Sequence, residues 1–223
     1  MAPGGVVPIA TGMLVALPPT SMKRTRALRA PQGSSGFSLI ETMVAMCVMG
    51  VLAAMTIPMV SAASSNVKLH DQADTISNYV GLAKMRATSR RSRARVYLDL
   101  NAGTYGLQVY NQTAGVWAND TAVTTLPNGI SFSFGKLDEP PLNTQPDIGF
   151  AERCTDDAGD PVDNTSCIMF NSRGIPINSA GAPLGGNAFY LTDGTGVRAV
   201  TVTATPLIRN WWSSASAPGW VRQ

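Results

Sequence analysis

One carboxylate, Glu41, stands inside an otherwise uncharged stretch that runs from Phe37 to Val60. At mid-membrane an unpaired acid costs about 2.5–3.5 kcal/mol, and less near the interface, so a charge kept in such a run calls for a partner. Pro58, near the end of the run, removes a helical hydrogen bond and is expected to kink a helix there. Cys154 and Cys167 flank a polar loop of twelve residues. Closing it as a disulfide would contribute about 3 kcal/mol in the chain-entropy picture; two unpaired thiols are the alternative. The third cysteine, Cys47, lies inside the apolar run. The only histidine, His70, has no Cys-x-x-Cys companion, so no metal centre is expected. Asp157, Asp160 and Asp163 offer oxygens suited to Ca2+, but not in the order of an EF-hand loop, and a solvated loop is the expectation. No nucleophile elbow, zinc-protease pair or phosphate loop occurs. His70 beside Asp71 reads as a surface residue of a helix. Neither catalysis nor a cofactor is expected.

The residues that must position Glu41 come next. Its run covers about 24 residues, enough at 1.5 Å rise per residue to cross a bilayer core of ~30 Å. Lys23, Arg24, Arg26 and Arg29 precede it, and no comparable cluster follows within ten residues. By the positive-inside tendency the N-terminus is cytoplasmic and residues 61–223 are periplasmic. The formal net charge of +3 in 223 residues belongs to this leader. Residues 1–36 hold four of the seventeen bases and no acid, which leaves thirteen bases against fourteen acids. Bulk charge therefore gives little support to nucleic-acid binding. Apolar residues at 44% and charged residues at 14% suit one membrane or buried segment plus a single β-rich domain.

Gly36-Phe37-Ser38-Leu39-Ile40-Glu41 followed by an apolar helix resembles the type IV prepilin processing motif. The resemblance implies a membrane aspartyl peptidase, the prepilin peptidase, that cuts between Gly36 and Phe37 on the cytoplasmic side and N-methylates the new amino group of Phe37. It implies that Glu41 pairs with the N-terminal ammonium of a neighbouring subunit in a filament, and that Pro58 corresponds to the kinking proline of many pilins. The leader of 36 residues is longer than the usual prepilin leader. Met22 is the expected start, with residues 1–21 an upstream artefact.

Beyond Pro58 the period stays helical. Leu69, Ala73, Ile76, Val80, Ala83 and Ala87 recur at spacings of three and four, which makes one apolar stripe. The spacing predicts a helix to about residue 91 whose basic end comprises Arg86, Arg90, Arg91, Arg93 and Arg95. From Val96 the period changes to two. Strands are expected at 96–100, 104–110, 130–134, 167–171, 187–192 and 197–203, with hairpin turns at Asn101–Gly103 and Asp193–Gly196. This second half is loosely similar to the GspH/FimT-type minor pseudopilins. The similarity rests on Ala83-Lys-Met-Arg86-Ala87, Arg95-Val-Tyr-Leu98, Phe170-Asn-Ser-Arg-Gly174 and Val197-Arg-Ala-Val-Thr-Val202. The Gly-Arg pair that often closes the last strand is reduced here to Arg209.

The expected architecture is α+β: one long N-terminal helix, with a membrane half and an amphipathic half, packed on a small antiparallel β-rich domain as in pilins. Its parts are a leader (1–36), a transmembrane and assembly helix (37–60), an amphipathic continuation (61–92) and a periplasmic domain with a C-terminal tail (93–223). The resemblance implies a minor pilin or pseudopilin, structural and not enzymatic, in a type IV pilus or a type II secretion pseudopilus. It would sit in the inner membrane and then in an envelope filament, in a priming or tip position. Its partners would be the peptidase, other pilins, the inner-membrane assembly platform and membrane lipid. Two alternatives stay open. A DNA-binding minor pilin would use Arg86, Arg90, Arg91, Arg209, Trp211, Trp212 and Arg222, because rings beside arginines stack on single-stranded bases. A static membrane-anchored binding module would never enter a filament.

Overall fold

The computed structural model describes residues 36–223, apart from the side chains of residues 55–63. The expected leader, including the start-site expectation for residues 1–21, lies outside the described residues up to position 35, and so does the Pro58 side chain. The chain divides into two compact units, one ending at Cys47 and the other running from Val48 to Gln223. Helix α1 (Leu39–Ser89) begins in the first unit and ends in the second. Among the described residues no helix is long and apolar enough to cross a membrane. The apolar run of the sequence continues through residues 55–63, whose side chains are outside that description.

In the first unit Ser38 stops the helix from starting earlier. Its side-chain oxygen accepts the Glu41 N–H at 3.2 Å, and its carbonyl accepts the N–H groups of Glu41 and Thr42. Serine is favoured at this capping position because its oxygen satisfies a donor that the first turn leaves without a partner.

In the second unit the stripe predicted from spacing is buried: Leu69, Ala73, Ile76, Val80, Ala83 and Ala87 are all at most 1% exposed. They pack on two antiparallel sheets. The first has the order β3-β2-β1-β5-β6, with β4 also on β2. Its strands are β1 (Ala94–Asp99), β2 (Thr104–Asn111), β3 (Val116–Asn119), β4 (Thr124–Thr125), β5 (Thr165–Phe170) and β6 (Pro176–Ile177). The second has the order β10-β9-β8-β7 and contains β7 (Asn187–Thr192), β8 (Gly196–Val202), β9 (Ile208–Ser214) and β10 (Val221–Arg222). Both predicted hairpins form, with β1 on β2 and β7 on β8. The main core joins the stripe to Val96, Leu98, Tyr105, Leu107, Ile168 and Phe170 of the first sheet and to Phe189, Leu191, Val200 and Val202 of the second.

Three expectations need correction. The helix stops at Ser89, short of residue 91, because Arg91 adopts a left-handed conformation with φ 50°. The Ser92 N–H then reaches the Ala87 carbonyl and the Arg91 N–H the Thr88 carbonyl. That pair of bonds is a Schellman termination, with arginine where glycine is usual. Arg93 and Arg95 accordingly leave the helix end, and Arg95 belongs to β1. Residues 130–134 form no strand; a single bridge joins Ser131 to Thr192. Gly129 and Gly135 turn the backbone at positive φ on either side, and Phe132 and Phe134 enter different hydrophobic clusters. Finally, much of the region read as a tail is sheet, since β9 and β10 extend from β8.

Two substitutions test this account. Ile76→Ala should lower unfolding stability by about 2–5 kcal/mol, as for other large-to-small core changes, read from the urea midpoint at unchanged m-value. Arg91→Gly should raise stability by about 1 kcal/mol by relieving the left-handed side chain, whereas Arg91→Ala should not.

Candidate functional site

The first candidate site is the start of α1. Gly36, Phe37 and Ser38 are non-helical, and the helix begins at Leu39. The Gly36–Phe37 peptide bond therefore lies outside the helix. Glu41 falls in the first turn, where a carboxylate is favoured by the positive end of the helix dipole. The side chains around it have no core to join: Phe37 is 80% exposed, and Leu39, Ile40, Met43, Val44 and Met46 are exposed as well. In the second unit Val48, Met49, Val51 and Leu52 are exposed. Cys47 is a free, exposed thiol.

The residues expected to contact a partner or DNA fall into separate groups. Arg86 and Arg90 converge on Asp120, with Arg86 Nε 2.8 Å from one carboxylate oxygen and Arg90 Nη2 against the other. The Arg86 contact is an ion pair without hydrogen-bond alignment, because neither atom has a hydrogen-bond partner. Asp120 is the site residue that sequence reasoning missed. It lies thirty-four positions from Arg86, and nothing local marks it. The turn Asn171–Gly174 packs beside the same helix end. A Cβ on Gly174, at φ +74°, would come 3.1 Å from Thr88 Cγ2 and 3.3 Å from Lys84 Cγ, so this part of the Phe170–Gly174 segment needs glycine for both backbone and space.

The second group is in the other sheet. Trp211 is buried, and its indole N–H donates to Thr201 Oγ1 at 2.9 Å. Trp212 faces Arg198 across β8 and β9. Arg209 and Arg222 line a shallow pocket of about 370 Å³ with His70, Asp74 and Asn210. In that pocket His70 Nδ1 lies 3.3 Å from Asp74, and Asn210 Nδ2 donates to Asp74 at 2.8 Å. The expected neighbour of His70, Asp71, is not its partner. Burial lowers the Arg198 guanidinium, and the Asp74 and Asp193 charges oppose that shift.

Cys154 and Cys167 form a disulfide, as expected, with S–S 1.98 Å. In the acidic loop beside it Asp157 accepts the Trp117 N–H at 2.7 Å, and Asp163 pairs with Arg153 at 2.9 Å. Among the described residues no group of His, Cys, Asp and Glu has the arrangement of a metal site. Arg95, read as part of the helix end, is instead 3% exposed in β1. Its guanidinium lies 3.9 Å from the Trp117 ring centre, and burial lowers its pKa to about 10 against the opposing effects of Tyr97 and Asp157.

The profile of the prokaryotic N-terminal methylation motif matches residues 32–57, a segment that contains Gly36, Phe37 and Glu41. No curated protein matches the chain. Two solved structures of the minor pseudopilin EpsH from the type 2 secretion system of Vibrio cholerae are similar at 14% and 16% identity, each with a TM-score of 0.40. They cover 64% and 69% of this chain and 95% and 96% of their own chains.

The turn between β7 and β8 meets α1 at one carboxylate. Ser65 donates to Asp193 Oδ2 at 2.7 Å, and Thr195 and the Gly196 N–H donate to Oδ1. Burial acts to raise the Asp193 pKa, but these hydrogen bonds outweigh it and hold the group below its ordinary value. A carboxyl lowered by folding stabilises the fold above its unfolded pKa, near 3.9, and loses that contribution as pH falls through its folded value. Asp193→Asn should therefore be less stable than the parent at pH 7. The gap should narrow below about pH 4, as measured by urea unfolding across that range.

Proposed function

We propose that this chain is a minor pilin-like structural subunit. It is cut between Gly36 and Phe37, N-methylated on Phe37, and held in the inner membrane by residues 37–60 with residues 61–223 in the periplasm. From there it is assembled through its N-terminal helix into a type IV pilus or a type II secretion pseudopilus, in a priming or tip position. Its role is structural rather than catalytic. The observation that supports this most is the methylation-motif match across residues 32–57. It coincides with a non-helical Gly36–Ser38 and a helix start whose apolar side chains are exposed.

The physical reasoning concerns two charges. Cleavage leaves an ammonium on Phe37, four positions before Glu41. In lipid each of these charges is costly alone, and opposite charges attract far more strongly there than in water. An ammonium of one subunit against Glu41 of the next satisfies both and sets the axial register between stacked helices. Extraction from the bilayer then exchanges lipid contact for helix contact, so apolar burial is roughly preserved. A DNA-binding role has less to rest on, since Arg86 and Arg90 share Asp120 and the Trp211 ring is buried.

Intact-mass and N-terminal analysis of the full chain from cells with and without the prepilin peptidase tests this reading. The expected mature form begins at N-methyl-Phe37 and disappears when the peptidase is absent. Glu41→Ala should leave cleavage in place but remove the subunit from the sheared filament fraction. A protein that still begins upstream of Gly36, or a Glu41→Ala chain that enters filaments normally, would overturn it. A variant that behaves like its parent while neither is ever found in filaments would favour the static anchored module.

A further inference from the structure

We propose that the Cys154–Cys167 bond is a clamp on the free edge of the first sheet, so that its redox state decides whether the loop after Cys154 covers the outer N–H of strand β3. This inference rests on the geometry of the second unit alone and is independent of the pilin reading.

Among the described residues strand β3 pairs only with β2. Its other side is an edge, and an unprotected edge offers backbone groups to any strand that approaches. The Trp117 N–H on that side is already taken, because Asp157 Oδ1 accepts it at 2.7 Å. Two residues earlier in the same segment, the Thr155 carbonyl accepts a hydrogen bond from Arg95 Nη1 at 2.7 Å. The Arg95 guanidinium also donates from Nε to Gln108 Oε1 at 2.8 Å, and its cation lies over the Trp117 ring. Residues 155–157 thus supply both the acceptor that blocks the edge and an acceptor that holds the buried cation under Trp117.

That segment hangs directly from Cys154. It is ordered within itself: the Asp156 N–H donates to the Asp160 carbonyl and the Val162 N–H to the Cys154 carbonyl, each at 2.8 Å. It therefore moves as a piece rather than fraying residue by residue. The disulfide ties it to Cys167 in β5. Hydrogen bonds tie the segment there as well: Cys154 N–H to Thr165 Oγ1, Cys167 N–H to the Glu152 carbonyl, Thr165 Oγ1 to the Val162 carbonyl and Ser166 Oγ to the Ala151 carbonyl. A dithiol reductant opens the bond by delivering two electrons and two protons; the S–S bond breaks, both cysteines become thiols, and the dithiol closes to its own disulfide. The loop then loses the cross-link between its two ends. Asp157 and Thr155 withdraw, and the edge N–H of Trp117 is exposed to solvent.

Hydrogen exchange read by mass spectrometry on the full chain in detergent, oxidised or reduced with dithiothreitol, tests the clamp. Reduction should speed exchange of the peptide covering residues 112–120 by about tenfold while the strands of the second sheet stay as they were. Asp157→Ala with the bond intact should speed the same peptide. The proposal is overturned by an unchanged β3 peptide after reduction or in Asp157→Ala. It is equally overturned by uniform acceleration through both sheets, which would make the bond a general support of the fold.

Discussion

Burial of a single helical stripe is the constraint from which the rest of the second unit follows. The two sheets share no strand, yet both send their large side chains to Leu69, Ile76 and Val80 and to the alanines between them. Full burial of a Leu, Ile or Val is worth about 1.5–3 kcal/mol, and neither sheet could bury its inner face without the helix. The alanines matter as much as the larger residues. Ala73, Ala83 and Ala87 add little apolar area, but they let the backbones of helix and sheet approach closely. One stripe thereby fixes which face of each strand points inward, and the strand register follows.

The first turns of the same helix obey the opposite rule. From Phe37 to Leu52 the large apolar side chains are exposed, a surface that water penalises and that another apolar phase must cover. Glu41 is tolerable at the helix start because the dipole favours it there, and it becomes informative once that start is surrounded by apolar atoms. The helix thus has two demands along its length: one half has its partner in the same chain, and the other needs a partner from outside it.

What could be read from the sequence was what is local. The stripe, the hairpins at 94–111 and 187–202 and the disulfide each follow from spacing within a short window. The alternation in Arg95-Val-Tyr-Leu98 was legible as a strand, but not the fate of Arg95. In such a pattern an arginine reads as facing solvent. Its partners Gln108, Trp117 and Thr155 come from three other segments and together bury it. Asp120 was hidden for the same reason. The strands at 208–214 and 221–222 were obscured by a Trp-Trp pair and a Ser/Ala/Pro/Gly stretch that carry no clear alternation, whereas Ile130–Phe134 alternates well and is not a strand, since its two phenylalanines fill separate clusters. At the helix start the motif was legible from residue types alone, because there the chemistry lies in the sequence of a few adjacent positions.

The axial position of α1 is held by polar contacts as well as by the stripe. The stripe fixes rotation about the helix axis, and a slip by one turn of 5.4 Å would exchange large for small side chains at Leu69/Ala73, Ala73/Ile76 and Val80/Ala83, while Ala83 and Ala87 would simply replace one another. Polar contacts add to this hold. At one end of the stripe Ser65 is held by Asp193 in the turn of the second sheet. At the other end Arg86 and Arg90 are held by Asp120, just after β3 of the first sheet. Each sheet therefore pins one end of the packed helix through a carboxylate. A slip by one turn would separate every one of these pairs and leave the largely buried Asp120 without its cations, a penalty beyond that of the apolar contacts. The stripe sets the facing, and the carboxylates at its two ends, with Gln72 on Tyr105 and Asp74 on Asn210 between them, fix the height of the packed part of the helix.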